Sequence, residues 1–278
     1  MKQSIGRYAS RPVVAVEAEA KVQEALQLMS EKRISCIAVL SHDEPIGILT
    51  ERDVVFAANW MLGQPELLLK EVMNKPVMTA SEHMTIVQAY QVFSQHHIRH
   101  LIVLDAQLDM VGIFTQTDLV RSLKEKAFAG IDDIAGMMTP QVLHVAHDVP
   151  ARYALSLMAR RSVSCVVVVV NGQPVGMFTE RDVVRYIAMG VDLAAVPVSS
   201  VMTPSVVSTP LTSTPQDSIN LMLKKSIRRL LVVDERGEMT GILTQTDIGR
   251  ALVGQQPTYI SRLLGGSDQT ADRPPALM

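Results

Sequence analysis

Four threonine–aspartate pairs are the residues whose types and spacing could do chemistry, and in each pair two residues separate the threonine from the aspartate. The pairs are Thr50 with Asp53, Thr115 with Asp118, Thr179 with Asp182, and Thr244 with Asp247. A carboxylate can accept hydrogen bonds from both hydroxyls of a ribose, and such charge-assisted bonds contribute about 1.5–3 kcal/mol. The same spacing is typical of a helix start, where the threonine caps the first turn. The pairs are therefore candidate ribose ligands and candidate helix caps.

Basic residues accompany these pairs and differ from copy to copy. The first and third copies read T-E-R-D, whereas the second and fourth read T-Q-T-D. Further basic residues precede the second and fourth copies, at positions where the first and third have serine and cysteine. The candidates are Arg52, Arg99, His100, Arg181, Arg228 and Arg229. Such side chains bind phosphate, although an arginine beside a strand can equally form a surface ion pair.

Other kinds of site find little support in the sequence. His96, His97 and His100 resemble a metal-binding cluster, but they straddle a predicted helix end and strand start. The fourth repeat has no ligand set at the matching positions. No nucleophile with a base and an orienting group can be assembled, and no P-loop or Rossmann fingerprint is present. We therefore expect no metal, no catalytic residues and no catalytic cofactor.

The elements that position these residues come from an internal repeat. Each pair belongs to a G-h-h-T-x-x-D segment, in which h is apolar, and successive glycines are 65, 64 and 65 residues apart. A shift of 129 residues gives a stronger match and aligns Ser35-Cys36 with Ser164-Cys165. A fixed period of this length indicates a repeat architecture. The alignment indicates that an ancestral pair of repeats was itself duplicated.

Each repeat is predicted to run strand, helix, strand, strand, helix. In the first repeat, residues 12–16, 36–40 and 46–49 form apolar strands, and residues 22–29 have the apolar spacing of a helix. Thr50 begins the last helix, whose inner face contains Val54, Val55 and Ala58. We expect this face and the matching Val183 and Val184 to pack one pair of repeats against the other.

Local signals add detail to this prediction. Gly47 would end its strand tightly and let the backbone approach a ligand. Thr85 with Gln88 predicts a capping box, and Asn171-Gly172 predicts a two-residue hairpin turn. Residues 62–72 and about 123–136 read as linkers.

Composition narrows the class of protein. The chain has 278 residues, of which 47% are hydrophobic and only 4% aromatic, so it can bury a large aliphatic core. A formal charge of −2 gives no electrostatic reason to expect nucleic acid or an anionic membrane. Neither a signal peptide nor a membrane-spanning stretch is evident. Cys36 and Cys165 lie in apolar runs, so we expect buried, reduced thiols in a cytoplasmic protein.

On these motifs the chain resembles the cystathionine-β-synthase (CBS) domain family. The resemblance rests on the four G-h-h-T-x-x-D segments, the M-x-P openings of the repeats and the order of elements, and it covers about residues 8–252. It implies an α/β (α+β) fold in which two repeats form a pseudo-two-fold module, often called a Bateman module. Two modules, about residues 8–128 and 129–254, would make a disc similar in layout to the gamma subunit of AMP-activated protein kinase.

The resemblance also implies what the site residues do. In the family, the matching threonine and aspartate hold the ribose of an adenosine-containing ligand, and adenine lies among apolar residues of the first strand. The gamma subunit has a His-Arg pair that meets phosphate where this chain has Arg99-His100 and Arg228-Arg229. All four pairs are thus expected ribose contacts, and the six basic residues are expected phosphate contacts.

The resulting expectations are specific. The repeats should span residues 8–61, 73–124, 137–190 and 202–253, followed by a disordered tail, residues 254–278. The protein should be a cytoplasmic, non-catalytic sensor of AMP, ADP or ATP that signals to a protein partner by conformational change and forms a homodimer. Two alternatives remain open: a sensor of S-adenosylmethionine or a dinucleotide, and a structural interaction module with vestigial clefts. An enzyme, or the regulatory arm of one, is a further class.

Overall fold

A computed structural model describes residues 4–61, 63–123, 128 and 131–254. The predicted tail after residue 254 lies outside the described residues, as does part of the predicted linker 123–136. No helix among the described residues is long and apolar enough to cross a membrane.

The predicted strand–helix–strand–strand–helix order is found four times. The first repeat consists of β1 (Ala15–Glu17), α1 (Val22–Lys32), β2 (Cys36–Ser41), β3 (Glu44–Thr50) and α2 (Glu51–Met61). After a short helix, α3 (Leu69–Val72), the second consists of β4 (Thr79–Ser81), α4 (Ile86–His96), β5 (His100–Leu104), β6 (Met110–Thr115) and α5 (Gln116–Ser122). The third consists of β7 (His144–Ala146), α6 (Ala151–Arg161), β8 (Cys165–Val170), β9 (Gln173–Thr179) and α7 (Glu180–Ala188). After β10 (Thr203–Pro204), the fourth consists of β11 (Ser208–Pro210), α8 (Pro215–Lys225), β12 (Arg229–Val233), β13 (Met239–Thr244) and α9 (Gln245–Gly254).

Each repeat forms its own small sheet with the same topology. In the first sheet β1 runs parallel to β2, which the intervening helix α1 makes possible, and β2 runs antiparallel to β3. The hairpin between β8 and β9 turns at Asn171 and Gly172, whose φ angles of 50° and 81° are those that this turn requires. The hairpin prediction is confirmed. One prediction was wrong, because α3 occupies the end of the predicted linker 62–72.

The first helix of every repeat ends in the same way. A non-glycine residue in the left-handed conformation follows each helix, and the apolar residue after it turns back toward the core. These residues are Arg33, His97, Ser162 and Ser226, with φ angles of 53° to 54°. The capping box predicted at Thr85 and Gln88 is also present, since Thr85 Oγ1 accepts from Gln88 N at 3.3 Å.

We refer to repeats one and two as the first module and to repeats three and four as the second. The two largest cores join repeats across the modules, one joining repeats one and three and the other joining repeats two and four. Val54, Val55 and Ala58 of α2 lie in the first of these cores with Val183 and Val184 of α7, as predicted. One smaller core lies between the two sheets of each module.

Within a module, the segment that opens each repeat crosses to the sheet of its partner repeat. Asn74 pairs with Ile48 of β3, Ser10 with Ile113 of β6, and Thr139 with Ile242 of β13. In the second module, β10 adds a strand to the sheet of the third repeat.

The crossing segments explain the motif glycines. A Cβ atom on Gly47 would lie 2.5 Å from Met73 Sδ, so the close approach expected there is made by the chain's own crossing segment. Met202 packs against Gly176, and Met138 packs against Gly241, in the same way. In three of the four repeats, a methionine of the crossing segment thus packs against the motif glycine, and in the second repeat Ala9 packs against Gly112.

Candidate functional site

All four threonine–aspartate pairs lie at the corner where the third strand of a repeat enters its last helix. In the first repeat, Thr50 N and Oγ1 donate to Asp53 Oδ2 over 2.8 and 2.7 Å. The other three pairs repeat these bonds at 2.7 to 3.0 Å. In return, each aspartate backbone N–H donates to the threonine hydroxyl. The capping prediction is therefore confirmed for all four pairs.

The cap uses only one oxygen of each aspartate. The second oxygen, Oδ1, accepts from a crossing segment in two repeats: from Ser10 at 3.4 Å for Asp118, and from Thr203 at 3.1 Å for Asp182. It also contacts an arginine one helical turn later in three repeats. These contacts are Asp118 with Arg121, Asp182 with Arg185, and Asp247 with Arg250, at 3.1 to 3.3 Å.

The first repeat differs from the others at this point. Phe56, about half exposed, stands where the other repeats have the arginine. The carboxylate of Asp53 instead receives a hydrogen bond from the side chain of Asn74 in the crossing segment.

Burial affects the charge of these carboxylates. It raises the pKa of Asp53, Asp118 and Asp182 above the ordinary value, although their bonds to threonine act in the opposite direction. A poorly solvated carboxylate gains from additional donors, because each one favours its charged form. Ribose hydroxyls on Oδ1 would be such donors.

Asp53 lines a cleft between the first and second repeats, which we call the first cleft. Its volume is about 380 Å³. One wall carries Thr50, Arg52 and Asp53, and the other carries residues 96–100 of the second repeat, which include Arg99 and His100. The apolar side chains between these walls are Ile48, Val77, Met78 and Ile98.

Asp182 lines the corresponding second cleft, between the third and fourth repeats, with a volume of about 520 Å³. Thr179, Arg181 and Asp182 face Arg228 and Arg229 across it. Its apolar side chains include Met177, Val206, Val207 and Ile227. The end of α1 also reaches this cleft, with Glu31 and Arg33, so the second cleft contacts both modules.

The even-numbered pairs are placed differently. Thr115 and Thr244 line a central chamber of only about 30 Å³, together with Arg99, Arg228 and Arg229. Asp118 and Asp247 are buried and contact an arginine, as Asp182 does, so the difference lies in the space around them. The structure therefore brings Asp53 and Asp182 into the two inter-repeat clefts, whereas Asp118 and Asp247 line neither.

Four of the candidate arginines meet two buried glutamates at the centre of the molecule. Arg52 Nε donates to Glu180 Oε1 at 3.2 Å, and Arg181 Nε donates to Glu51 Oε1 at 3.1 Å. Arg99 lies 2.9 Å from Glu180 Oε2, and Arg228 donates to Glu51 Oε2. Both glutamate side chains are only 1% exposed, whereas the four arginines are 15–44% exposed. Each pair therefore joins a buried carboxylate to a partly exposed guanidinium.

The pKa values of the two inner arginines shift in opposite directions. Arg228 makes an aligned hydrogen bond to Glu51, and although burial opposes it, the nearby carboxylate raises the pKa of Arg228. Arg99 lies 2.9 Å from Glu180 Oε2, and although burial lowers the pKa of Arg99, this carboxylate acts in the opposite direction. Burial would raise the pKa of Glu51, but Arg228 and Arg181 outweigh it and hold that pKa low.

The remaining two basic candidates line the central chamber beside these pairs. His100 Nε2 lies 2.9 Å from Ser35 Oγ, and burial, with repulsion from Arg99, lowers the pKa of His100 to about 3. His100 is therefore neutral at physiological pH and could meet a phosphate only as a neutral donor. Arg229 is 8% exposed, hydrogen-bonds Cys165, and has no partner for its buried Nε.

At the matching positions of the even-numbered repeats, neutral threonine and glutamine side chains form hydrogen bonds in place of the glutamate–arginine pairs. Thr117 Oγ1 donates to Gln245 Oε1 at 2.8 Å, and Thr246 Oγ1 donates to Gln116 Oε1 at 2.9 Å. Sequence reasoning missed Glu51 and Glu180 as site residues. The signal was present in the motif, because only the T-E-R-D copies pair a glutamate with an arginine.

His96, His97 and the two cysteines have structural roles. His97 is the left-handed residue that ends α4, and His96 is the last residue of that helix. Within the part of the chain that the structure describes, no group of three or more histidine, cysteine or acidic residues could hold a metal ion. Cys36 and Cys165 are buried free thiols, as predicted, and burial raises the pKa of both.

Comparison with known proteins adds independent information. The sequence model of the CBS domain matches residues 5–59, 69–125, 131–189 and 198–254. An uncharacterised 33.4 kDa protein in a ribosomal RNA operon of Thermofilum pendens is 29% identical over 174 residues, which are 58% of this chain and 57% of that protein. The L-aspartate semialdehyde sulfurtransferase of Methanocaldococcus jannaschii is 30% identical over 141 residues, which are 50% of this chain and 27% of that enzyme. The matches thus span a little over half of the first relative and about a quarter of the second.

One solved structure covers most of the chain. A Methanocaldococcus jannaschii protein, described as a proposed archaeal homologue of γ-AMPK, superimposes with a TM-score of 0.79 at 19% sequence identity. The match covers 90% of this chain and 100% of that one. This likeness supports the fold: four repeats of the same type, arranged as two modules.

Proposed function

The chain belongs to the CBS domain family, and from that premise we propose that it is a non-catalytic regulatory protein that binds adenine nucleotides in its inter-repeat clefts. The ligands are AMP, ADP or ATP, and the protein signals their presence to a protein partner. The sulfurtransferase among its relatives is an enzyme, and that activity is a property of the whole relative, of which this chain matches about a quarter.

One observation carries this proposal: each inter-repeat cleft combines a motif aspartate with at least two arginines that contact a buried glutamate. Asp53 shares the first cleft with Arg52 and Arg99, and Asp182 shares the second with Arg181 and Arg228. The volumes of about 380 and 520 Å³ lie in the range of small-molecule sites. A carboxylate for ribose hydroxyls and guanidiniums for phosphate are the two polar groups that a nucleotide needs.

The binding mode follows from the lining of the clefts. Ribose would bond to Oδ1 of the aspartate, which the helix cap leaves available. Adenine would lie among the apolar side chains, such as Val77 and Ile98 in the first cleft or Val207 and Ile227 in the second. At Asp182, as at Asp118 and Asp247, a ribose would have to share or displace the arginine on Oδ1. Asp118 and Asp247 line neither inter-repeat cleft, so we place these two pairs second in affinity.

Signalling would use the contact between modules. Because the end of α1 lines the second cleft, a nucleotide there would touch both modules and shift their relative position. The partner would recognise this shift. We also retain the homodimer as a proposal, because family resemblance favours it.

Thermal melting with ligands tests the function. AMP, ADP and ATP should raise the melting temperature in a concentration-dependent way, and calorimetry should give micromolar affinity, about −8 kcal/mol. A protein stabilised only by S-adenosylmethionine would be a sensor of that ligand instead. A protein stabilised by no adenosine compound would be a structural module with vestigial clefts, a reading that the extensive internal pairing of its arginines favours.

A further inference from the structure

The two clefts are connected crosswise through the buried glutamates. Arg52 and Arg99 line the first cleft, and both contact Glu180 of the second module. Arg181 and Arg228 line the second cleft, and both contact Glu51 of the first module. Each glutamate is the first residue of the helix that carries the motif aspartate of its own module's cleft.

We propose that Glu51 and Glu180 are internal anions that set the phosphate selectivity of the opposite module's cleft. Each one occupies the arginines on which the nucleotide phosphate of that cleft would bind, so the phosphate must compete with a carboxylate already in place. This inference rests on the proposed function, because it concerns the phosphate end of the same clefts.

The competition follows from the chemistry of the guanidinium group. Carboxylate and phosphate bind its N–H groups with similar fork-like geometry, so both cannot make full use of one arginine pair. A phosphate monoester carries about −1.5 to −2 charges near pH 7, against −1 for the carboxylate, so it can displace the glutamate. Adenosine has no such group and would bind without disturbing the glutamate.

Displacement of a glutamate by phosphate in one cleft would weaken nucleotide binding in the other cleft. A phosphate that draws Arg52 and Arg99 away leaves Glu180 buried without its partners, which is unfavourable. Glu180 begins α7, which holds Asp182 in the second cleft, so the first nucleotide weakens the second. By linkage the effect is reciprocal.

The even-numbered repeats provide a natural design for the test. Gln116 and Gln245 occupy the motif position of Glu51 and Glu180, at the same kind of helix start. A change of glutamate to glutamine therefore introduces a residue that this fold already accepts there, and it removes only the charge.

The test measures each cleft separately by titration calorimetry on the full chain. Asp182→Asn leaves the first cleft intact, and Asp53→Asn leaves the second intact. In the first background, Glu180→Gln should tighten AMP about tenfold and leave adenosine unchanged, while Glu51→Gln should not tighten it. In the second background the two glutamates exchange roles. Glu24→Gln, an exposed change of the same charge on α1, is the matched control.

Inorganic pyrophosphate, which lacks the nucleoside, separates failure of this inference from failure of the proposed function. If adenosine and AMP bind but neither glutamine variant changes the AMP affinity of the opposite cleft, the inference is overturned and the proposed function stands. If no adenosine compound binds but the glutamine variants gain affinity for pyrophosphate, the proposed function fails and the inference stands. Tightening in the cleft of the same module, or no binding of any probe to any variant, overturns the inference.

Discussion

Glu51 of the first module accepts a hydrogen bond of 3.1 Å from Arg181 Nε of the second module. Glu51 directly follows the capping Thr50, and Arg181 is the second residue after the capping Thr179. The contact therefore joins the starts of two helices, α2 and α7, whose side chains also share the largest core. Charge and packing act at the same junction, so changes at the clefts and changes between the modules are expected to accompany each other.

Asp53→Asn should separate ligand binding from helix capping. The amide oxygen can still accept from Thr50, so the melting temperature without ligand should change by no more than about 2 °C. Loss of the charge should remove most of the stabilisation by AMP, measured by differential scanning fluorimetry. Asp217→Asn is the control, because Asp217 forms the same cap with Thr214 on the exposed start of α8. An AMP response equal in both variants would mean that Asp53 is only a cap.

Arg228→Ala and Arg99→Ala should each destabilise the chain, because each removes a cation from a buried glutamate. The loss should be on the order of 3 kcal/mol in the free energy of unfolding. Both variants should weaken AMP and ATP far more than adenosine. Chemical denaturation and calorimetry measure the two effects, and equal losses for adenosine and AMP would rule out a phosphate role.

Gly47→Ala should destabilise the first module, because the new Cβ atom would overlap Met73 Sδ. We expect a loss of about 1–3 kcal/mol in the free energy of unfolding, measured with urea. Met73→Ala should restore part of it in the double variant, since the second repeat already combines Gly112 with the smaller Ala9. Gly136→Ala meets no atom within 4 Å and is the control. A double variant no more stable than the single one would contradict the proposed contact.

His100 should make stability depend on pH. Its pKa in the folded chain is about 3, against an ordinary value of 6.5, so between these values the unfolded chain takes up the proton and the folded chain does not. The stabilisation is complete above pH 6.5 and is lost as the pH falls, by up to about 1.4 kcal/mol per pH unit. His100→Gln should flatten this slope, whereas exposed His83→Gln should not. Denaturation curves from pH 7 to 4.5 that overlay for wild type and His100→Gln would refute the assignment.

A fragment of residues 1–128 should not remain a simple monomer. The two largest cores join the modules, so the isolated first module would expose the inner faces of α1, α2, α4 and α5. We expect it to self-associate, with a mass by light scattering at least twice that of the chain. Val54→Asp should reduce this association. A monomeric fragment that unfolds cooperatively would show that the first module is stable alone.

Much of the fold could be predicted because the four repeats can be aligned with one another. The element order, the hairpin at Asn171-Gly172 and the four caps follow from local patterns that recur at one period. The partner of Gly47 could not be predicted, because Met73 arrives from the following repeat. Glu51 and Glu180 were missed for a similar reason. Their arginine partners all lie in other repeats, and Arg181 and Arg228 are 130 and 177 residues away from Glu51. A local sequence pattern cannot predict contacts over such separations.

The crossing segments bear on how such a chain can change over evolution. Each repeat is completed by a piece of chain from its partner, so a repeat copied alone would have an uncovered sheet edge and a segment with nowhere to bind. The smallest unit that can be duplicated, lost or moved to another protein without such a defect is the pair. Duplication of a pair explains why the sequence matches itself better at a shift of 129 residues than at a shift of 65.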